Sequence, residues 1–211
     1  MKRKGILVVI SGFSGAGKGT LMRALTASYD TYALSISMTT RKMRDGEQEG
    51  REYFFVSREA FEEKIQQDGL IEYATYCDNY YGTPRAYVEQ QLEAGKDVIL
   101  EIEIQGARSI REKFPEALLV FVMPPSAEEL KRRLIGRGTE TEEVIRKRLL
   151  RAAEEAEGVE EYDYIVINDN LEICTHELHA LIQSAHKKAD RNIDRIETIR
   201  QELKVLVKGE K

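Results

Sequence analysis

The chain has 211 residues, 42% of them hydrophobic and 33% charged, with only 4 prolines, which describes a folded globular protein and excludes disordered and fibrous classes. At this length one domain with insertions is expected, burying roughly 70% of its unfolded surface. Lysine and arginine total 32 against 37 acidic residues, a net charge of -5, which argues against a general nucleic-acid binder without excluding a local basic pocket.

The opening "MKRKGILVVI" has a charged start, but its apolar run is short and passes directly into a glycine loop, so a cytoplasmic protein is expected. No apolar run approaches the roughly 20 residues that span a bilayer. Cys77 and Cys174 are far apart in sequence and are expected to be reduced and partly buried rather than bridged.

Along the chain, short apolar runs alternate with helical patterns, which predicts an α/β fold with a central parallel sheet covered by helices in three layers. The predicted strands are Ile6 to Ser11, Tyr32 to Ser37, Asp97 to Glu103, Leu118 to Met123 and Tyr164 to Asn168. Being nearly all apolar, they suit strands buried on both faces. Residues 38–93 interrupt this rhythm with tyrosines, arginines, short strands and a helix from about Arg58 to Asp68, as an inserted subdomain would. Residues 126–158 are charged and helical, with capping-box patterns at Ser126/Glu129 and Thr139/Glu142, and suggest a mobile helical lid joined by the glycines of "GRG". The core is then 1–37, 94–125 and 159–211. From Leu171 to Lys208 there is no glycine or proline, and Ile196, Ile199, Leu203 and Leu206 recur at helical spacing, which predicts one long final helix. A helix packed along the core is favoured over a coiled-coil arm, and both a monomer and a homodimer remain open.

"GFSGAGKG" from Gly12 to Gly19 fits G-x-x-x-x-G-K between a predicted strand and a predicted helix. Gly12, Phe13, Ser14, Gly15, Ala16, Gly17, Lys18, Gly19 and Thr20 are therefore candidate phosphate ligands. Inward-pointing amides and the positive helix end cradle the phosphates, and Lys18 reaches the outer ones. Gly19 stands where a hydroxyl usually binds magnesium. Either the loop holds phosphate without chemistry, or Mg²⁺ is held mainly by nucleotide phosphates and waters, with no dedicated protein metal site.

The inserted stretch offers an acceptor site. Arg41, Arg44, Tyr53 and Tyr81 can bind a dianionic phosphate. Glu72 can accept the adjacent N1-H and N2-H donors of guanine, which adenine lacks, and Ser37 and Thr83 are hydroxyls suited to the remaining polar edge. Glu101 and Glu103, two apart on a predicted strand, would share one face at its carboxyl end.

The segments "SGFSGAGKGT", "SISMTTRKMRDGE", "EYFF", "IEYA", "NYYGTP", "EIEIQGA", "PPS", "RLIGRGTETEE", "KRL" and "YDYIVIND", in this order, resemble guanylate kinase over essentially the whole chain. The resemblance departs at Phe13 and Met43, where the family usually has proline, and at Glu101 and Glu103, which are often aspartates. It implies transfer of the γ-phosphoryl of ATP to GMP, with dGMP as a further candidate acceptor, and with Mg²⁺. Carried onto matching positions, it makes Arg41, Arg44, Tyr53 and Tyr81 ligands of the GMP phosphate and Ser37, Glu72 and Thr83 ligands of guanine. Lys18, Arg41, Arg137 and Arg148 would neutralise charge during transfer, with Arg133 also at a family lid position. Because the acceptor oxygen is already anionic, no strong general base is needed. Asn168 and Asp169 fit an adenine-side role or an ordinary turn equally well. Two rivals stand beside this reading: a guanylate-kinase-like phosphopeptide-binding module, and a kinase of another small acceptor.

Overall fold

A computed structural model of the chain describes residues 4–76, 78–136 and 141–209. The elements in order are β1 (Leu7–Gly12), α1 (Lys18–Ser28), β2 (Tyr32–Leu34), β3 (Met38–Thr39), β4 (Phe54–Phe55), α2 (Arg58–Gln66), β5 (Leu70–Tyr76) and β6 (Asn79–Pro84). There follow α3 (Arg85–Glu93), β7 (Asp97–Glu101), α4 (Ile104–Lys113), β8 (Leu118–Met123), α5 (Ala127–Gly136), α6 (Glu142–Ala156), β9 (Tyr164–Ile167), α7 (Leu171–Ala185) and α8 (Ile193–Gly209).

Five strands form a parallel sheet in the order β2-β7-β1-β8-β9. Strand alternation splits the apolar run of β1 between two cores. Val8 and Ile10 pack with Leu21, Leu25 and Leu178 from α1 and α7, while Leu7 and Val9 pack with Val88 and Ile110 from α3 and α4. Helices on both faces make the three layers. β1 is central, and its carboxyl end opens between β7 and β8, where parallel α/β sheets bind ligands.

Strand β9 departs from the expected double burial. It is an edge strand, and only Val166 of its four residues is buried. Two predicted strands are shorter than expected: β2 stops at Leu34, and β7 stops at Glu101 because the chain turns there into α4.

A second sheet, β4-β3-β6-β5, carries the acceptor candidates. Its core is Met38, Phe61 and Leu70, with Phe61 stacked on Tyr80 at 5.1 Å between ring centroids. Ser57 caps α2 by accepting from Ala60 N. The long flank of β5 packs against α4, so an edge strand of the small sheet is covered by a helix of the large one.

In the lid region, Ser126 Oγ accepts from Glu129 N, as its capping pattern implies. The second cap differs from the expectation. Thr141, not Thr139, starts α6 by accepting from Val144 N, and Thr139 lies outside the described residues. The single long final helix is also corrected, because it is two helices, α7 and α8, joined by a one-turn 3-10 segment at Ala189–Asn192. The break needs no glycine or proline: the buried His186 ring bonds Asp97 at 2.7 Å, and the Asn192 side-chain amide donates to the His186 and Lys188 carbonyls. Cys174 is buried with a free thiol, and Cys77 lies outside the described residues. Among the described residues no helix is long and apolar enough to cross a membrane.

Candidate active site

The loop from Gly12 to Lys18 leaves the sheet at the end of β1 and enters α1 through Gly17, whose φ of 91° is left-handed. A Cβ there would meet Asn168 Nδ2 at 2.4 Å, so both conformation and space require glycine. The loop is braced from outside itself. Ala16 O accepts from Asn168 Nδ2 at 2.8 Å and from Arg133 Nη1 at 3.3 Å, and Arg133 Nη2 also donates to Asn168 O. Phe13 is buried with its ring edge on Phe121, an aromatic anchor for the loop. Lys18 Nζ spans the loop to Gly12 O at 2.6 Å and Phe13 O at 3.3 Å, which sets its ammonium over the loop's concave side.

Gly19 differs from Gly17. A Cβ at Gly19 would meet nothing nearer than Arg23 Nη1 at 3.8 Å, so the fold does not demand glycine, and the position stays open beside the phosphate loop. The neighbouring Thr20 hydroxyl accepts from Arg23 Nη2 at 3.2 Å. Glu101, at the end of β7, has Lys18 and Arg23 as its nearest opposing charges. Its carboxyl reaches solvent, yet the surrounding cleft walls desolvate it and push it above the usual carboxylate range.

Across the cleft, Arg41 is held in a bidentate pair with Glu47, at 3.0 and 2.8 Å, and also donates to Lys42 O. This pairing, and then the backbone N-H of Arg44, hold Glu47 below the ordinary carboxylate range, so Glu47 stays ionised and keeps Arg41 in place. The guanidinium lies 5.4 Å from the centroid of the Tyr53 ring, and Tyr53 and Tyr81 meet edge to face at 5.7 Å. Arg41, Tyr53 and Tyr81 therefore form one cluster, while Arg44 is exposed on the adjoining turn. Ser37 is half-buried immediately before β3, with its carbonyl accepting from Phe54 N.

Glu72 and Thr83 are directly opposite on β5 and β6. Both are buried, and the Thr83 hydroxyl donates to Glu72 Oε1 at 2.6 Å. Burial raises the Glu72 carboxyl above its usual range, partly offset by Thr83 and by Lys113. Glycine at 106 gives the other carboxylate oxygen its space, since a Cβ there would stand 3.2 Å from Glu72 Oε2.

Glu103 corrects the expectation that it shares a strand face with Glu101. It is the residue before α4, and its carboxylate pairs with Arg151 of α6 at 2.8 Å. Arg151 also holds Glu155, whose second oxygen is buried without a hydrogen-bond partner and whose carboxyl is raised by burial. These groups line a cleft of about 610 Å³ between β5, the start of α4 and α6, beside the phosphate loop rather than over it. Arg148 reaches the loop from α6, with Nη1 donating to Ser14 Oγ at 3.0 Å. Arg137 lies outside the described residues.

With this geometry on hand, the comparisons with known proteins are specific. The family model described as Guanylate kinase matches residues 4–185. The chain belongs to the guanylate kinase family. It is 47% identical over 205 residues to the guanylate kinase of Lactococcus lactis, covering 97% of this chain and all of the relative. It is 50% identical over 194 residues to that of Halalkalibacterium halodurans, covering 92% and 95%. The crystal structure of guanylate kinase from Anaplasma phagocytophilum superposes with a TM-score of 0.71 at 32% identity, covering 90% of this chain and 91% of that one.

Within the guanylate kinase frame, reading the residues singly missed three structural roles. Asn168 acts as a brace of the phosphate loop, a function that only its contact with Ala16 reveals. Gly106 is the seat of Glu72, and here a signal existed, since glycine inside a helix is costly and marks a close approach. Arg151 joins Glu103 to Glu155, a link across 48 residues of sequence that no local pattern carries.

Proposed function

We propose that this chain is an ATP:GMP phosphotransferase, producing ADP and GDP in the cytoplasm as part of purine nucleotide recycling. The observation that carries the acceptor identity is the buried Glu72 and Thr83 pair. A carboxylate fixed by one hydroxyl, with its second oxygen seated at Gly106, can accept two adjacent N-H donors of a guanine edge. Adenine and pyrimidines leave that buried acceptor unsatisfied, a penalty that enzymes use for discrimination of about 10⁴ or more. Ser37 would add a further hydrogen bond to the base.

Arg41, Arg44, Tyr53 and Tyr81 hold the GMP phosphate in this reading, with Glu47 keeping Arg41 oriented. The loop from Gly12 to Thr20 holds the ATP phosphates. An anionic GMP phosphate oxygen attacks the γ-phosphorus, the bond to the bridging oxygen breaks, and ADP leaves with the electron pair. Lys18, Arg148 and Arg137 stabilise charge on the transferred group, and Ser14 gives Arg148 a resting contact on the loop. Residues 126–158 would close over both nucleotides, excluding water from the transfer.

The donor set near Lys18 fits a hydrated Mg²⁺ accompanying ATP: Gly19 leaves space for its waters, and Glu101 offers an oxygen acceptor for them. When bound, Mg²⁺ supplies charge neutralisation at the β- and γ-phosphates.

A coupled assay of ADP release from ATP with GMP, dGMP, IMP, AMP and UMP tests the reading. GMP is expected to be the best acceptor, IMP weaker because it lacks one donor, and AMP and UMP near background. A preference for AMP or UMP, or no GMP-dependent turnover, overturns it.

A further inference from the structure

Gly19 leaves a gap in the first turn of α1, and Arg23 lies over it. One turn further along the same helix, the Arg23 side chain leans back toward the helix start. This places Nη1 3.8 Å from where a Cβ of residue 19 would stand, and Nη2 donates to the Thr20 hydroxyl at 3.2 Å. The first turn of α1 has no acidic residue, so Lys18 and Arg23 add two cations to a helix end that is already positive. Arg23 is exposed and free to point elsewhere, and one neutral hydroxyl is a weak reason to lie there. A nearby anion makes the position favourable.

Glu101 is that anion. Desolvation by the cleft walls opposes its ionised form, while the charges of Lys18 and then Arg23 favour it; Glu103, the neighbouring carboxylate, is paired with Arg151. Tyr53, whose hydroxyl is pushed up chiefly by burial, also feels Glu101, so this one carboxylate bears on both the phosphate loop and the cluster of Arg41, Tyr53 and Tyr81. Of its two cations, Lys18 is bonded to Gly12 O and Phe13 O and, in the reading above, turns to the ATP phosphates. Arg23 is then the cation that stays with Glu101.

We propose that Arg23 is a positioning residue for phosphoryl transfer, reaching over the gap at Gly19 to fix the Glu101 carboxylate where it can accept hydrogen bonds from the waters of an ATP-bound divalent cation. This inference rests on the reading of Glu101 and Mg²⁺ given under the proposed function. A hydroxyl at position 19 would ligate the metal itself. Without it the metal keeps more of its water, and those waters need a fixed acceptor. A carboxylate that reaches solvent has rotamer freedom, which a planar guanidinium with several donors restricts. Arg23 touches no reacting atom in this scheme and acts through Glu101.

The test is a titration of Mn²⁺, followed by its electron paramagnetic resonance signal, into the full-length protein with ATP and no acceptor, beside a calorimetric titration of ATP in EDTA. Arg23→Gln is expected to raise the Mn²⁺ dissociation constant of the ATP complex about 10-fold, with ATP affinity in EDTA within about 2-fold of wild type. Because Arg23 is exposed, thermal melts should stay near wild type. Glu101→Gln should have a similar effect on Mn²⁺, and the double variant should exceed Glu101→Gln alone by less than about 2-fold. Unchanged Mn²⁺ affinity in Arg23→Gln overturns the proposal. An equal loss of ATP affinity in EDTA overturns it in favour of a direct contact with phosphate. Additive effects of the two substitutions, or an effect of Arg23→Gln without one of Glu101→Gln, break the link between the side chains and overturn it too. A wild type without GMP-dependent turnover strikes the acceptor reading alone, since these titrations contain no GMP.

Discussion

The phosphate loop joins one strand to one helix within nine residues, and its conformational demands, left-handed backbone at Gly15 and Gly17, are met by those residues themselves. The proposed acceptor pocket draws Arg41 from the turn after β3, Tyr53 from the approach to β4, Glu72 from β5, Tyr81 and Thr83 from β6, and needs Gly106 of α4 to make room. A local object can be recognised by spacing alone, whereas the pocket exists only once the four strands of the small sheet have paired and packed against a helix of the core. The same difference sets where each is fragile: the loop through its backbone and one lysine, the pocket through side chains that satisfy one another while buried.

The largest break in this comparison is expected from Lys18→Ala. Removing the ammonium that spans the loop from Gly12 O to Phe13 O should lower kcat by at least about 10³-fold, while circular dichroism and thermal stability stay near wild type. Near-normal turnover would show that the loop works through its amides alone.

Glu72→Gln attacks the other half. It keeps shape but loses the anionic acceptor, so kcat/KM for GMP should fall on the order of 10²-fold with the KM for ATP little changed. Equal losses for both nucleotides would remove Glu72 from guanine reading. A pH series sharpens the same point. Burial raises the folded Glu72 carboxyl, so the native state keeps its proton at pH values where the unfolded chain has released it, and ionising Glu72 costs stability as pH rises through the raised value. In the proposed reading GMP binds the ionised form, so GMP affinity should fall on acidification, beginning above the ordinary carboxylate range. A GMP affinity constant down to about pH 4 would contradict this.

Two glycines of the loop give smaller effects of opposite character. Gly17→Ala forces a side chain into left-handed backbone and against Asn168, and should lower stability by about 2 kcal/mol, a fall in Tm of roughly 4–8 °C. Gly19→Ala has space and helical backbone, and should be neutral or more stable by up to about 1 kcal/mol in a thermal melt. If Gly19→Ala destabilised as much as Gly17→Ala, the difference drawn between the two positions would fail.

Much of the fold was legible in the sequence because apolar runs of strand length cannot be exposed on both faces. Leu118 to Met123 emerged with those bounds, and the loop emerged from its glycines and lysine. The failures have local causes. Nothing in "DVILEIE" marks the turn after Glu101, since Ile102 and Glu103 suit a strand as well as the approach to a helix. Nothing between Leu171 and Lys208 marks the break before α8, since it is made by His186 reaching Asp97, 89 residues away, and by the Asn192 amide. The apolar "YIVI" was expected to be buried on both faces, but burial depends on whether another strand follows in the sheet, and none does among the described residues.

The sequence by itself determined the parallel α/β core, the phosphate loop and the candidate charged and hydroxyl groups proposed to bind a guanine nucleotide, because spacing and side-chain chemistry are local properties. Only the tertiary structure decided that Glu72, on an edge strand, is buried beneath α4 and bonded to Thr83. It alone turned Glu103 toward Arg151 and made Asn168 a brace of Ala16. Each of these depends on which elements meet when the chain packs, α4 on β5, α6 on the start of α4 and the end of β9 on the phosphate loop, and burial is a property of that meeting rather than of any residue.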